Sequence, residues 1–415
     1  MTAALPPAFT RLWTASAISS TGDGIYFAAL PLLASTLTGD PVTVSLVSGA
    51  VLLPWPLLGL VGGALVDRWD RRRTMWIADV ARAVLLLTLF AAGTTGVLSV
   101  PSLIAMAFLL GVGQLFFDTA AQAFLPALLD RDRGRLQLAN TRLRGVQLAT
   151  DGFLGPPAGS ALFALSRMVP FLADAASFAL SAVLIRSLPA TPVKPREVRT
   201  SLWADAKEGA SYLFRTRLLL GLSLRPAVGN LAFGAGNAVM VLFVREELHL
   251  GAAGYGVFLA CEGVGGLLGT FLAGRVDRLF GTGRALTVTA VVEAGAVLAL
   301  GLARNPVWAG VAFAVCACGM AATMVLGVSL RQAIVPDQLM GRVSAASRLL
   351  ALSAGPIGAV SGGVLATAAG LRAPYFAGAG VLLSMTLVTA SMTSNRKVDA
   401  ALAEAKLTHA PQHCP

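Results

Sequence analysis

The chain has 415 residues, of which 56% are hydrophobic and only 13% charged, with 44 glycines, 7% aromatic residues and a mean hydropathy of +0.73. Soluble domains carry about 25% charged residues; at half that density the chain lacks the polar surface to cover itself in water, which excludes a soluble globular protein. The net charge of +11 falls in short clusters between apolar runs rather than on one face or tail, which excludes a nucleic-acid-binding protein and marks membrane topology instead.

Runs of about 18 to 25 apolar residues are long enough to cross a bilayer as helices. The first, Leu12 to Leu37, is too long for a signal-peptide core and has no small-residue cleavage site after it, so it is expected to stay as the first span. Five more are expected at about 43–66, 75–98, 101–125, 143–166 and 169–189. Residues 190–217 interrupt the pattern: a Pro-rich, charged stretch, "LPATPVKPREVRT", leads into "SLWADAKEGASYLF". In the latter Trp203, Ala206, Ala210 and Leu213 share one helical face and Asp205, Lys207 and Glu208 the other, as in a helix lying on a membrane surface. Six further spans are expected at about 218–243, 253–274, 285–303, 307–334, 343–369 and 373–394.

The expected architecture is an all-α membrane protein of twelve transmembrane helices in two six-helix bundles. Residues 1–189 form the first, 190–217 a cytoplasmic linker, 218–394 the second and 395–415 a cytoplasmic tail. The basic residues orient it. Arg68, Arg71 to Arg73, Arg131, Arg133, Arg135, Lys194, Arg275, Arg284 and Arg342 fall in connections on one side, with Arg396, Lys397 and Lys406 in the tail; the opposite connections hold Arg167, Arg245, Arg304 and Arg372. Under the positive-inside rule both termini are cytoplasmic.

The sequence repeats itself. "LLGLVGGALVDRWDRRR" from Leu57 aligns without gaps on "LLGTFLAGRVDRLFGTG" from Leu267, which places Asp277 and Arg278 on Asp67 and Arg68 at a spacing of 210 residues. "QAFLP" from Gln122 and "QAIVP" from Gln332 keep that same spacing of 210, and "GPPAG" at Gly155 matches "GPIGA" at Gly355. Two parallel six-helix repeats describe the halves of major facilitator transporters.

Gly63, Leu65, Asp67, Arg68, Arg71 and Arg72 resemble the superfamily's signature between its second and third helices, G-x-L-x-D-R-x-G-R-R, with Asp70 standing where the family has glycine. Gly155, Pro156 and Gly159 resemble the GPxxG core of its antiporter signature. "SSTGDGI", "LPALLDRDR" and "KEGASYLF" are similar to the branch that contains enterobactin exporters and macrolide efflux proteins. The resemblance spans about Ala8 to Ala390. It implies the major facilitator fold, a cavity lined by the first, second, fourth and fifth helices of each half, and export.

An intramembrane charge costs at least a few kcal/mol and is kept for a reason. Asp23, Glu262 and Glu293 fall near mid-depth and are the candidates for proton coupling; by the lining pattern that the resemblance implies, Asp23 and Glu262 precede Glu293. A carboxyl that holds either a proton or the substrate, at a site open to each face in turn, is the minimum machinery of antiport. Tyr26, Gln114, Arg225, Asn230 and Asn237 are the candidate substrate contacts. Asp79 and Arg82, three residues apart, can neutralise each other, and Asp151 can pair with Arg142 or Arg144. Gly63, Asp67, Arg68, Arg71, Arg72, Asp118, Asp277 and Arg278 are expected to form a conformational latch, with Asp118 meeting Arg71. Gly155, Pro156, Gly159, Gly355 and Pro356 are expected to be bend points.

Cys261, Cys316, Cys318 and Cys414 with His249, His409 and His413 have neither metal-site nor disulfide spacing, and no G-x-x-x-x-G-K-[ST] loop is present. No catalytic residue, metal or cofactor is expected, and the chain reads as a transporter rather than an enzyme. The expected partners are a small-molecule substrate, protons and the lipid bilayer of a bacterial inner membrane, with no nucleic acid and the chain acting as a monomer. Efflux of a drug, natural product or siderophore is the leading expectation; import of a sugar or siderophore on the same fold, or a non-transporting receptor, are the alternatives.

Overall fold

Lipid offers no hydrogen-bond partners, so each apolar run must satisfy its own backbone as a helix. The structure, a computed structural model, describes residues 5–66, 68–129, 132–189 and 202–409, and all regular structure among them is helical. The first part of the chain forms α1 (Pro7–Leu37), α2 (Pro41–Leu52), α3 (Pro54–Val66), α4 (Arg71–Thr94), α5 (Val100–Leu128), α6 (Arg133–Gln147), α7 (Gly155–Leu165) and α8 (Val169–Arg186). The second forms α9 (Leu202–Arg215), α10 (Arg217–Leu242), α11 (Ala252–Phe280), α12 (Thr282–Leu302), α13 (Pro306–Ile334), α14 (Asp337–Ala369), α15 (Ala373–Ala390) and α16 (Asn395–His409). Wide π-type turns at Leu148–Leu154 and Phe243–Glu247 join α6 to α7 and extend α10.

The local sequence sets where helices start. Proline stands in the first turn of α1, α2, α5, α7, α8, α13 and α15, where its missing amide costs nothing. Asp40, Asp70, Asp132 and Asn305 cap their helices by accepting from the amides of Thr43, Arg73, Arg135 and Val307 at 2.7–2.9 Å.

Twelve spans are expected from the apolar runs; ten segments among the described residues are long and apolar enough to cross a membrane. The other two have a physical reason to fall short. α1, with 31 residues, is long enough but carries Arg11, Asp23 and a ladder of Ser and Thr, and the segment from α6 to α7 is interrupted by the π-type turn, leaving α7 only 11 residues. Both are polar where they build the site described below.

Packing divides the chain into two units, 1–197 with 238–263, and 198–237 with 264–415. The stretch 238–263 therefore packs with the first unit. In that unit α1 lies along α7 and α8, and α4 lies between α5 and α8. Phe9, Leu12, Met75, Phe124 and Leu129 are fully buried in its core. The helices approach backbone to backbone: a Cβ on Gly24 would lie 2.9 Å from the Cα of Gly155, one on Gly155 only 2.6 Å from the Cα of Gly24, and one on Gly159 would strike the backbone of Ile25. By contrast, nothing lies within 4 Å of a Cβ on Gly63. Arg245 ties the 238–263 stretch to α1 by donating to the carbonyl of Ser35 at 3.0 Å.

In the second unit α12 lies along α13 and α15, and α14 along α9 and α15. Of the expected amphipathic linker, α9 carries Leu213 and half-buried Ala210 inward and leaves Lys207 and Glu208 exposed. Glu208 pairs with Arg342 of α14 at 2.6 Å. The Pro-rich stretch 190–201 and the side chains of Trp203, Asp205 and Ala206 lie outside the described residues. Arg225 of α10, buried, clamps three helices: it donates to Thr389 at 2.9 Å and Thr393 at 3.1 Å, on α15 and just beyond it, and to the carbonyl of Leu286 on α12.

Gly24→Val is expected to lower stability by about 1–3 kcal/mol through overpacking, and Gly63→Ala to leave it unchanged or raise it by up to about 1 kcal/mol. Thermal unfolding in detergent compares them; equal midpoints would mean that α1 and α7 do not depend on backbone contact. Arg225→Ala should cost about 2–3 kcal/mol in the same assay, and Arg225→Lys should not restore it, because an ammonium cannot replace the guanidinium fork.

Candidate functional site

Asp23 stands midway along α1, with glycine on either side, and its carboxylate forms an ion pair with Arg82 of α4. The pair is asymmetric: the Arg82 side chain is 4% exposed, that of Asp23 22%. Arg82 also lies over the ring of Phe178 on α8, 3.7 Å from its centroid, and its Nη1 is 3.8 Å from Asp79 one turn away. Asp79 is fully buried, with no hydrogen-bond donor on either oxygen. Asp174 of α8, equally buried, accepts from Ser177 at 3.0 Å and shares the electrostatic field of Asp23 and Arg82. One guanidinium thus sits among three carboxyls drawn from α1, α4 and α8. Tyr26 completes the cluster: its ring meets Phe171 edge-on at 6.2 Å, and its buried hydroxyl has no partner.

The exposed side of Asp23 opens into a polar pocket of about 160 Å³, lined also by Ser16, Ser19 and Ser20 of α1, Gln114 and Asp118 of α5, Arg144 of α6, and Asp151 in the π-type turn. Three of its lining residues are acids and one is a base, so it is suited to a polar or cationic group rather than an anion. Asp23 alone belongs to both the pocket and the buried cluster, and any change of charge on it is felt by Arg82. Among the described residues no group of three or more His, Cys, Asp or Glu is placed to hold a metal ion.

The signature turn between α3 and α4 is built from several kinds of contact. Asp67 lies outside the described residues, and Arg68 is exposed. Arg71 donates to the carbonyl of Ala123 near the end of α5 at 3.2 Å, and Arg72 to the carbonyl of Leu188 just beyond α8 at 2.7 Å. Each guanidinium thus donates to a backbone carbonyl, that of Leu188 lying just past the C-terminus of α8, where a cation is favoured. Asp118, the expected partner of Arg71, lines the polar pocket. Asp70, in the family's glycine position, has an extended backbone (φ −65°, ψ 111°) and caps α4, so the departure from the signature supplies a helix start.

The remaining candidates are dispersed. Glu262, on α11, is half-buried and lies in the field of the Tyr255 hydroxyl two turns earlier. Glu293 of α12 is buried against Gly319 of α13, whose Cβ would come within 3.2 Å of it. Arg225 is committed to the clamp on α12 and α15, and Asn230 donates to the carbonyl of Ala351 on α14 at 2.9 Å. Asn237 is half-buried on α10. Asp277, on α11, has one buried oxygen without a donor, and Arg278 beside it is exposed. Gly155, Pro156 and Gly159 follow the π-type turn directly, and the carbonyl of Gly355, next to Pro356, faces Gly234, whose Cβ would stand 2.5 Å from it.

Sequence reasoning missed Asp174 and assigned Arg82 to Asp79 alone. The signals were present: an acid in the apolar run "PFLADAASF", and an arginine too deep to reach water. What the spacing did not contain is that α8 lies against both α1 and α4 and places Asp174 in the electrostatic field of Arg82.

Residues 4–413 match the family described as transmembrane secretion effector. The chain is 27% identical over 402 residues to the MFS-type transporter YfiS of Bacillus subtilis (strain 168), covering 91% of each. It is 27% identical over 404 residues to the multidrug efflux pump Tap of Mycolicibacterium fortuitum, covering 93% of this chain and 96% of that one. Among solved structures it is similar in fold to a bacterial homologue of the iron transporter ferroportin in its inward-facing state (TM-score 0.77, 17% identity, 94% of this chain and all of that one). The nucleoside transporter NupG is likewise similar in fold (TM-score 0.75, 14% identity, 94% and 100% covered). With a multi-pass helical fold, charged residues gathered inside its spans and a match along nearly its whole length, the chain belongs to the transmembrane secretion effector family of major facilitator membrane transporters.

Proposed function

We propose that the protein exports an amphipathic small molecule from the cytoplasm in exchange for protons, by alternating access of two pseudo-symmetric six-helix halves, residues 1–189 and 218–394. The linker 190–217, the tail 395–415 and both termini are on the cytoplasmic side of the bacterial inner membrane, and the chain works as a monomer. The observation that carries this reading is the position of Asp23, which is paired with buried Arg82 yet exposed to a polar pocket. The resemblance in sequence to the multidrug efflux pump Tap supports export over import. A drug, a macrolide-like natural product and a siderophore all fit the substrate class.

The coupling step follows from charge. With Asp23 ionised, its carboxylate is shared between Arg82 and the pocket. A proton on Asp23 removes the pair with Arg82 and one negative charge from a pocket that also faces Asp118 and Asp151; the substrate's polar end and the proton therefore compete for one group. Arg82 released from Asp23 still has Asp79 and Asp174 beside it, so the exchange does not strand a buried cation. Tyr26 and Gln114 border this group, and Glu262 and Glu293 are the second-half acids proposed to titrate with it, with Arg225, Asn230 and Asn237 as substrate contacts there. Gly63, Asp67, Arg68, Arg71, Arg72, Asp118, Asp277 and Arg278 are proposed to latch one conformation, and the helices bend at Gly155, Pro156, Gly159, Gly355 and Pro356.

Two measurements test this. In vesicles containing the purified chain and a pH dye, adding a transported drug releases protons; Asp23→Asn should abolish that release and cut gradient-driven flux by at least about tenfold, or about 1.4 kcal/mol, while the protein stays folded. Glu262→Gln should reduce it as well. Unchanged coupling in both variants would remove the assignment, and drug accumulation down an imposed gradient of the opposite sign would reverse the direction. Separately, a cysteine placed at Asp399 in a chain whose own four cysteines are replaced should react with an impermeant maleimide only after the cell membrane is opened. Labelling of intact spheroplasts would invert the topology.

A further inference from the structure

The four arginines of the signature turn are not equivalent. Arg71 and Arg72 point into the first unit and satisfy the carbonyls of Ala123 and Leu188. Arg68 and Arg73 are exposed, and their guanidiniums make no hydrogen bond or ion pair with any described residue. The acid between them, Asp70, is already engaged through its carboxylate with the Arg73 amide at 2.9 Å.

These two free guanidiniums stand at the mouth of a cleft of about 780 Å³ between α4 and α5. Its walls are mostly apolar, formed by Ile77, Ala81 and Leu85 on one side and Leu109, Val112 and Phe116 on the other, and the buried Arg82 also borders it. Ile77 is 51% and Leu109 46% exposed, so the cleft is greasy surface rather than packed core. From Arg73 to Leu85 it follows α4 for about 18 Å at 1.5 Å per residue, close to the thickness of one leaflet's hydrocarbon, about 15 Å. Trp69 closes the mouth, stacked on Phe116 with ring centroids 5.7 Å apart, at the level where indoles favour the membrane interface.

We propose that this cleft is a binding site for an anionic phospholipid, with the phosphate on Arg68 and Arg73 and one acyl chain between α4 and α5. The charge at the mouth decides the class of occupant. Among the described residues of the mouth, two guanidiniums against one committed carboxylate favour a phosphodiester whose headgroup adds no cation, and they oppose a choline headgroup, which would bring a further positive charge to the same spot. The lipid belongs to the leaflet that holds this turn, the cytoplasmic one in the orientation proposed above. The cleft shares no residue with the polar pocket, although Arg82, which pairs with Asp23, borders it, and the lipid site does not depend on the transport reading.

The test uses the full chain reconstituted in vesicles with phospholipids brominated on their acyl chains, and reads the quenching of Trp69 as the difference between the chain and its Trp69→Phe variant. Brominated phosphatidylglycerol is expected to quench Trp69 at about thirtyfold lower mole fraction than brominated phosphatidylcholine, the preference that two basic side chains at a headgroup supply. Arg68→Ala with Arg73→Ala should bring the two lipids level. Ala81→Phe, which fills the cleft, should weaken quenching by both, and a circular dichroism spectrum equal to that of the parent keeps each variant interpretable. Equal quenching by the two lipids in the parent chain overturns the proposal, as does a preference that survives the double arginine variant. Displacement of neither lipid by Ala81→Phe would overturn the placement of the acyl chain.

Discussion

A guanidinium held inside the bilayer is the constraint around which the first unit is arranged. Removing one partner from a buried ion pair costs about 3–5 kcal/mol, so Arg82 requires an acid wherever the helices place it, and it has three at hand from three helices. That surplus allows the charge to be satisfied in more than one way. Asp23 contributes the accessible partner and Asp79 the buried one, Asp174 adds its field, and the ring of Phe178 covers the flat face of the guanidinium. A structural pair would need only one carboxylate, fully enclosed; here the accessible one opens on a polar pocket.

Close approach of helices makes this arrangement possible. Asp23 lies between Gly22 and Gly24, and neither glycine could carry a side chain: a Cβ on Gly22 would collide with Asp174 and Ser177, and one on Gly24 with the backbone around Gly155. The glycines therefore decide which way Asp23 points, because α8 and α7 occupy the two flanks of α1 at that level. The π-type turn before Gly155 serves the same end. Its widened backbone carries Asp151 into the pocket and ends on the Gly155, Pro156 pair, where a proline amide would in any case be missing. Charge, glycine and irregular helix occur together because a polar site in lipid needs protein, not hydrocarbon, around every irregular backbone group.

The signature turn shows a division of labour among like residues. Two of its arginines donate to backbone carbonyls of neighbouring helices and two remain at the surface, although all four read alike as a positive cluster. Asp70, which breaks the expected signature, is explained by the geometry of α4: an extended residue with an acceptor side chain starts a helix at least as well as glycine does.

Much of this was legible in the sequence. Apolar runs of membrane-crossing length, the spacing of 210 between repeated motifs, prolines at helix starts and the amphipathic linker helix are local properties, fixed by backbone hydrogen bonding and side-chain periodicity, and they determined the helical membrane fold and its family. The acids inside the spans were legible for the same reason, since a charge in an apolar run is conspicuous. Their long-range partners were not: Arg82 stands 3.8 Å from Asp79, three residues away in the chain, but also pairs with Asp23, 59 residues away, and Arg225 closes on Leu286 and Thr389. Which charge meets which depends on the rotation and crossing of whole helices. Those are set by the sum of many small packing contacts between glycines and apolar faces, and only the tertiary structure performs that sum.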